Sequence, residues 1–322
     1  MLEIKPSNIR SWSMLGSRGT FGVVLLELAH QYDNLVALSA DLCKSSGLDR
    51  FNSAYPERFF NAGIAEQNMI GVASGLAAGG FIPFATSFAN FLTMRAGEQV
   101  RHNLGYMNEN VKIVGLASGI ATGMFGATHH GIEDIAVLRA ISNITILSPA
   151  DCTETAKMTE AALLHQGPVY IRLTGNMRAP VVYNSDYELS IGRAIKLKDG
   201  GDICIVATGS MVYPSLKAAD ILEHEGIKCS VINMHTIKPL DYKALDDISD
   251  KKLIVTIEEH STIGGLGSAV AEYLADKANR PRQLIIGIPQ GYPHAGDYDY
   301  LLSVNGLTVT DIVMKIKKNI SD

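Results

Sequence analysis

Cysteine is scarce: Cys43, Cys152, Cys204 and Cys229 are the four in 322 residues, far apart and with no C-x-x-C pair. That excludes a disulfide scaffold and leaves no zinc or redox-dithiol pattern, so reduced core thiols are expected. An excess of one charge is lacking too: 28 Lys and Arg stand against 33 Asp and Glu, a net of −5. A mildly acidic chain carries no electrostatic footprint for nucleic acid. No apolar run reaches membrane-spanning length, since the most apolar stretch, residues 70–91, is broken by Gly, Ser, Thr, Asn and Pro83. The opening MLEIKPSNIRSWSM has no basic start followed by an apolar run. No signal peptide and no membrane are therefore expected, and the cytoplasm is the expected location. Glycine is plentiful (30) but aperiodic, which excludes a collagen-like chain.

What is present is apolar material, 47% of the residues against 19% charged, which excludes wholesale disorder. The length suggests about two domains. Short apolar runs at 35–39, 82–86, 112–117, 144–147 and 169–173 alternate with helical patterns at 20–31, 66–78, 95–104, 133–139 and 153–164. That alternation predicts a parallel sheet covered on both faces. From 176 to 201 the texture changes. Pro180, the polar cluster Tyr183-Asn184-Ser185-Asp186 and the pair Gly200-Gly201 read as a linker plus an irregular strand, with a boundary near residue 188. A second series follows, with strands predicted at 203–207, 229–233, 253–257 and 284–288 and helices at 213–225, 242–248 and 267–278. The expected fold is α/β: two doubly wound domains, 1–187 and 188–322, the second smaller.

Five segments could carry chemistry. Glu66 stands almost alone as a charge in Phe60-Asn61-Ala62-Gly63-Ile64-Ala65-Glu66-Gln67-Asn68-Met69. It reads either as a first-turn charge at the positive end of a helix or as a buried acid. The helix it opens is rich in Gly, each forfeiting about 1 kcal/mol relative to Ala, and close approach of another backbone is the expected return. Phe88 and Phe91 are either core or an apolar wall for a flat aromatic ligand. His129 and His130 sit in a Gly-rich loop after a strand, where parallel sheets bind ligands. They suggest acid–base or phosphate contacts, and no third ligand at recognisable spacing supports a metal. Arg172, with Arg178 nearby, suits a phosphate, a carboxylate or a surface ion pair. Gly264-Gly265-Leu266-Gly267 is part of a dinucleotide loop or a tight turn into a closely packed helix.

In order, Ser39-Ala40-Asp41-Leu42, then Gly63-Ile64-Ala65-Glu66-Gln67-Asn68-Met69, Thr86-Ser87-Phe88-Ala89-Asn90-Phe91, Gly126-Ala127-Thr128-His129 and Ile171-Arg172 resemble the carboxyl-terminal part of transketolase. Ala207-Thr208-Gly209-Ser210 and Glu258-Glu259-His260 with the later glycines extend the resemblance over nearly the whole chain. It implies a pyrimidine-binding domain joined to a transketolase C-terminal domain, in a thiamine-diphosphate enzyme that transfers a two-carbon ketol unit from a ketose phosphate to an aldose. The family's Gly-Asp-Gly with its later Asn, which holds the divalent ion, is missing: Gly201-Asp202-Ile203 and Gly296-Asp297-Tyr298 lack the third glycine. The resemblance is thus to the second subunit of a split transketolase, incomplete alone. Mg2+ or Ca2+ would be held by an N-terminal partner, and an α2β2 assembly about a two-fold axis is expected. The last domain would serve contacts between chains rather than catalysis.

Carried over position by position, the resemblance makes Glu66 the acid that shares a proton with the pyrimidine ring nitrogen and favours the imino form of the neighbouring amino group. Phe88 and Phe91 would flank the aminopyrimidine, and Met94 takes the place of a pocket tyrosine. Asp41 and Leu42 would lie near the cofactor or the subunit interface. His129 would contact donor oxygens near the reacting carbons. Arg18, Ser45 and Arg172 would hold the sugar phosphate, arginine because its fork pairs with phosphate in two places. Two positions depart from the pattern. Ala117 stands where the family has a histidine, and Phe125 where it has an aspartate that reads hydroxyl stereochemistry, which a phenyl ring cannot do. A modified ketose, for example one with an altered terminal anion, is therefore a candidate donor beside xylulose 5-phosphate. The 2-oxo acid dehydrogenase β subunit and the rear portion of 1-deoxyxylulose-5-phosphate synthase are alternatives within the thiamine class. Residues 86–91 and Arg172 favour transketolase over the former. From other classes, the missing third glycine argues against a nicotinamide-dependent dehydrogenase built on residues 264–267, and Glu66 and His129 speak against a non-catalytic partner of the same fold.

Overall fold

The computed structural model describes residues 2–175, 177–278 and 280–321. The short apolar runs become strands because helices cover both of their faces; β1 (Leu35–Ser39) and β4 (Lys112–Ser118) are buried at every position. With β2 (Phe59–Asn61), β3 (Ile82–Phe88), β5 (Thr145–Leu147) and β6 (Val169–Thr174) they form most of the first sheet. The second half supplies β7 (Ile195–Lys198), β8 (Ile203–Ala207), β9 (Cys229–Asn233), β10 (Thr236–Lys238), β11 (Leu253–Ser261) and β12 (Arg282–Ile288). The first sheet has seven strands in the order β10-β5-β6-β4-β3-β1-β2, the second five in the order β12-β11-β8-β9-β7. Pairing is parallel throughout except at two edges, where β10 runs antiparallel to β5 and β7 antiparallel to β9. The α/β class expected from the sequence is the observed one.

The register of β1 against β3 sets Ser39 opposite Thr86, so the chain leaves both strands at the same end of the sheet. The helix Glu66–Ala78 falls where the sequence pattern puts it. The helix Pro6–Ala29 is longer than the predicted 20–31 and turns at Gly16, whose φ of 75° lets the chain change direction beside the sheet. Its second limb packs closely on the loop after β1: a Cβ on Gly47 would lie 2.7 Å from the Arg18 carbonyl. The partial dinucleotide loop is resolved in favour of the packed turn. The Glu258 carboxylate accepts from the N–H groups of Leu266 (2.7 Å) and Gly267 (2.8 Å), filling the helix start where a pyrophosphate would lie. A Cβ on Gly267 would lie 2.6 Å from Ile285, which explains the glycine.

The two halves share material. Leu38, Ala85 and Tyr170 of the first sheet belong to one core with Val206, Ile232 and Ile254 of the second. The linker is pinned to the first domain, because Asp151 accepts from the N–H groups of Val182 and Tyr183, each at 2.8 Å. Glu154 beside it accepts from Tyr187 (3.0 Å) and from Asn233 in β9 (3.0 Å). Burial pushes the Asp151 carboxyl up to about 6 and that of Glu154 up to about 7. No helix among the described residues is long and apolar enough to cross a membrane.

Candidate active site

The site forms where β1, β3 and β4 end, the edge at which parallel sheets bind ligands. After β1 the chain turns at Asp41, a non-glycine residue at φ 59°. Asn61 at the end of β2 supports that turn: its Oδ1 accepts from the N–H groups of Asp41 (3.1 Å) and Gly63 (3.0 Å). The sequence does not single out Asn61 for this task, since its bond to Asp41 joins residues twenty positions apart. Asp41 is exposed and Leu42 half-buried, both on the loop that carries exposed Ser45.

Glu66 opens the helix that follows Gly63. Its side chain is 2% exposed, so the buried-acid reading holds. It is not alone. Ser87 at the end of β3 donates to its Oε1 (3.2 Å), and Arg95 Nη1 donates to Oε1 (3.1 Å) and Oε2 (2.9 Å). Arg95 is the partner that sequence reasoning missed. Its signal was weak: a single cation at the start of the predicted helix 95–104. Met94, next to it, is 52% exposed at the rim.

Phe88 and Phe91 do not disappear into the core. They are half-buried and meet edge to face at 5.8 Å, with the His129 ring 5.6 Å from Phe88 and 5.2 Å from Phe91. Phe125 closes the cluster at 5.0 Å from His129 and is largely exposed. The paired histidines thus separate: His129 faces the rings, whereas His130 is buried, which pushes its pKa below the ordinary value. The loop 119–131 that carries them is closed at its base, where Gly119 and Gly131 exchange backbone hydrogen bonds of 2.8 and 2.9 Å. The second domain grips this loop. Glu259 Oε1 accepts from the Ile120 N–H at 2.9 Å, and its Oε2 accepts from Ser210 (2.6 Å) and Tyr298 (2.5 Å). Gly296 lies against Gly123, where an added Cβ would come 2.7 Å from its carbonyl. The second domain therefore shapes the loop that carries Phe125 and His129.

Arg18 is half-buried and has no hydrogen-bond or ion-pair partner among the described residues. It sits between the end of β6, to which Ser17 Oγ donates at the Thr174 carbonyl (3.1 Å), and the Ser45 loop. Arg172 is elsewhere, and the expectation that it holds a sugar phosphate is corrected. Its guanidinium is 1% exposed and fully used, donating to Asp134 (2.8 Å), Thr174 (3.2 Å) and the carbonyls of Gly131 (3.2 Å) and Glu259 (2.9 Å). Tyr170 also donates to Asp134, at 2.6 Å. The arginine turns inward because a buried carboxylate left without its cation would cost about 3–5 kcal/mol. Arg178, by contrast, is exposed and lines a cavity of about 470 Å³ with Ser17, Thr174 and Ser210.

Comparison with known proteins matches two families in succession along the chain. The transketolase pyrimidine-binding domain family matches residues 14–178, and the transketolase C-terminal domain family matches 192–312. A putative transketolase C-terminal section of Methanocaldococcus jannaschii is 42% identical over 94% of this chain and 95% of its own length. A 6-deoxy-6-sulfo-D-fructose transketolase subunit of Clostridium sp. (strain MSTE9) is 42% identical over 92% of each chain. A solved structure described as a split-gene transketolase, inactive β4 tetramer, superposes with a TM-score of 0.85 at 41% identity, covering 94% of this chain and 97% of that one.

Proposed function

The chain belongs to the transketolase family, and on that premise we propose that it is the C-terminal subunit of a split, thiamine-diphosphate-dependent transketolase. It moves a two-carbon ketol unit from an anionic ketose to an aldose and needs an N-terminal subunit to do so. The observation that carries this reading is the Glu66 carboxylate, buried at the ends of the strands yet bordered by the open Phe88–Phe91–His129 ring cluster. A buried acid beside flat apolar faces fits an aminopyrimidine. When bound, thiamine diphosphate supplies the acyl-carbanion chemistry. Glu66 holds a proton at the pyrimidine ring nitrogen, and Phe88 and Phe91 orient the ring, with Met94 at its edge. Asp41 and Leu42 border the same pocket. His129 hydrogen-bonds donor oxygens, while Arg18 and Ser45 bind the terminal anion, with Arg178 as a second cation. The domains divide near residue 188.

The partner reading rests on the surface around the site. Ile64 (77% exposed), Phe60, Val72 and Met94 are large apolar side chains left open on the segments that carry Asn61, Glu66 and Arg95, which marks a docking face. An N-terminal subunit covering it would bring the diphosphate site and its Mg2+ or Ca2+, since this sequence has no Gly-Asp-Gly. Two copies of each subunit form the assembly. The donor is a ketose whose recognition does not need a hydroxyl acceptor at Phe125, such as one ending in a sulfonate. The relative named for 6-deoxy-6-sulfo-D-fructose supports that choice.

The test mixes the two subunits with thiamine diphosphate and Mg2+ and follows ketol transfer from xylulose 5-phosphate, other ketose phosphates and sulfonated ketoses. Transfer requiring both chains is expected, with the sulfonated ketose preferred. Full turnover by this chain alone, or acetyl transfer from pyruvate in place of ketol transfer, would overturn the reading.

A further inference from the structure

Arg95 makes two contacts that the proposed cofactor also needs. Its Nη1 lies 2.9 and 3.1 Å from the two Glu66 oxygens, and its guanidinium carbon lies 4.0 Å from the centroid of the Phe91 ring. A guanidinium is a flat, delocalised cation that donates N–H bonds in its own plane and stacks on aromatic faces. A pyrimidine protonated at its ring nitrogen has the same description: flat, with an in-plane N–H and a face that stacks. Both therefore seek one carboxylate and one phenyl ring. Capacity at the carboxylate is limited, because Ser87 already donates to Oε1 and Arg95 donates to both oxygens. The burial of the two partners is unequal. The Glu66 side chain is 2% exposed and that of Arg95 46%, so the arginine has a solvent path out and the acid does not. The Arg95 backbone is held independently, its carbonyl accepting from Gln67 Nε2 at 3.0 Å, so the side chain can leave without the turn moving.

We propose that Arg95 is a competitor of the aminopyrimidine, covering Glu66 and Phe91 until the cofactor ring displaces its guanidinium towards solvent. The proposal rests on the function assigned above. It makes Arg95 a residue that sets cofactor affinity, and it gives the buried carboxylate a cation at every stage before the cofactor ring is seated. A buried carboxylate stripped of its cation is costly, which is why a replaceable partner is useful there.

Calorimetric titration of the two-subunit complex with thiamine diphosphate and Mg2+ tests this. Arg95→Ala is expected to tighten cofactor binding about three- to tenfold, the gain from no longer breaking a half-exposed ion pair. Arg95→Lys, which keeps the charge but loses the stacked plane, is expected to fall between wild type and Arg95→Ala, and it keeps the test available should the alanine variant not fold. In the background of Glu66→Gln the same arginine substitution should no longer tighten binding. Thermal melts add a readout independent of turnover: Arg95→Ala should melt lower than wild type without cofactor and gain more from adding it. Unchanged or weaker cofactor binding by both arginine variants would overturn the competition while leaving the functional reading intact. A wild-type complex that binds no thiamine diphosphate would overturn both.

Discussion

Two arginine–carboxylate pairs, built from the same chemistry, do opposite work in this molecule. Arg172 and Asp134 are sealed where the two domains meet, each no more than 1% exposed, with every guanidinium nitrogen donating. Arg95 and Glu66 stand at the strand ends, where the acid is buried and the base is nearly half open. In the first pair neither partner can be withdrawn without stranding a charge in the interior. In the second the cation can be withdrawn and something else put in its place. Burial on both sides makes an ion pair structural. Burial on one side leaves an acid that a ligand can reach.

Substitutions sharpen or break that contrast. The largest effect is expected for Glu66→Gln, which should lower ketol transfer by the assembled enzyme about 10²–10⁴-fold, the range of a positioned acid. Urea unfolding of the same variant should stay close to wild type, and near-normal turnover would remove Glu66 from the chemistry. Arg172→Met should do the reverse, losing about 3–5 kcal/mol of unfolding free energy because Asp134 is left unpaired. If that variant were as stable as wild type but inactive, the arginine would return to the substrate side. Arg18 is a third case, a cation with no hydrogen-bond or ion-pair partner among the described residues. Its replacement by Ala should raise KM for the anionic donor about 10–100-fold, the worth of charged hydrogen bonds, with kcat and the urea midpoint little changed. An unaltered KM would put the anion elsewhere.

The smallest effect comes from a buried carboxyl with no arginine at all. Glu154 is raised by burial from 4.5 to about 7, and Asp151 beside it from 3.8 to about 6. Between the unfolded and folded values the native chain binds more protons than the unfolded one, so stability is greatest at the acid end of the window, falls across it and levels off above about 7. Melting temperature against pH should show that decline in wild type and a flatter curve in Glu154→Gln. Parallel curves would show that Glu154 does not govern it.

Much of this was legible in the residues. The alternation of short apolar runs with amphipathic stretches identified the fold, and the strands 203–207 and 229–233 fall where the pattern puts them. What escaped was whatever depends on partners far along the chain. The three-residue strands β2 and β10 are too short to show a period, and each exists because a neighbour offers a free edge. The helix Val309–Ser321 was missed although its apolar stripe packs Ile312 and Ile316 into the second core. Arginine at a strand end says nothing of which way it points. Arg172 faces inward because Asp134, thirty-eight positions away, is buried beside it. Arg95 was passed over because its acid lies on another helix, twenty-nine positions earlier.

The small strand β10 carries a last consequence. It is encoded after the linker but completes the first sheet, with Thr236 opposite Leu147 and the Ser148 N–H bonded to the His235 carbonyl at 2.8 Å. A protease nick in the linker should therefore leave both fragments travelling together through gel filtration. A gene cut at the same place should yield an amino-terminal fragment with a naked sheet border, prone to clump. The polypeptide has two lobes by architecture but should melt in one event by wiring.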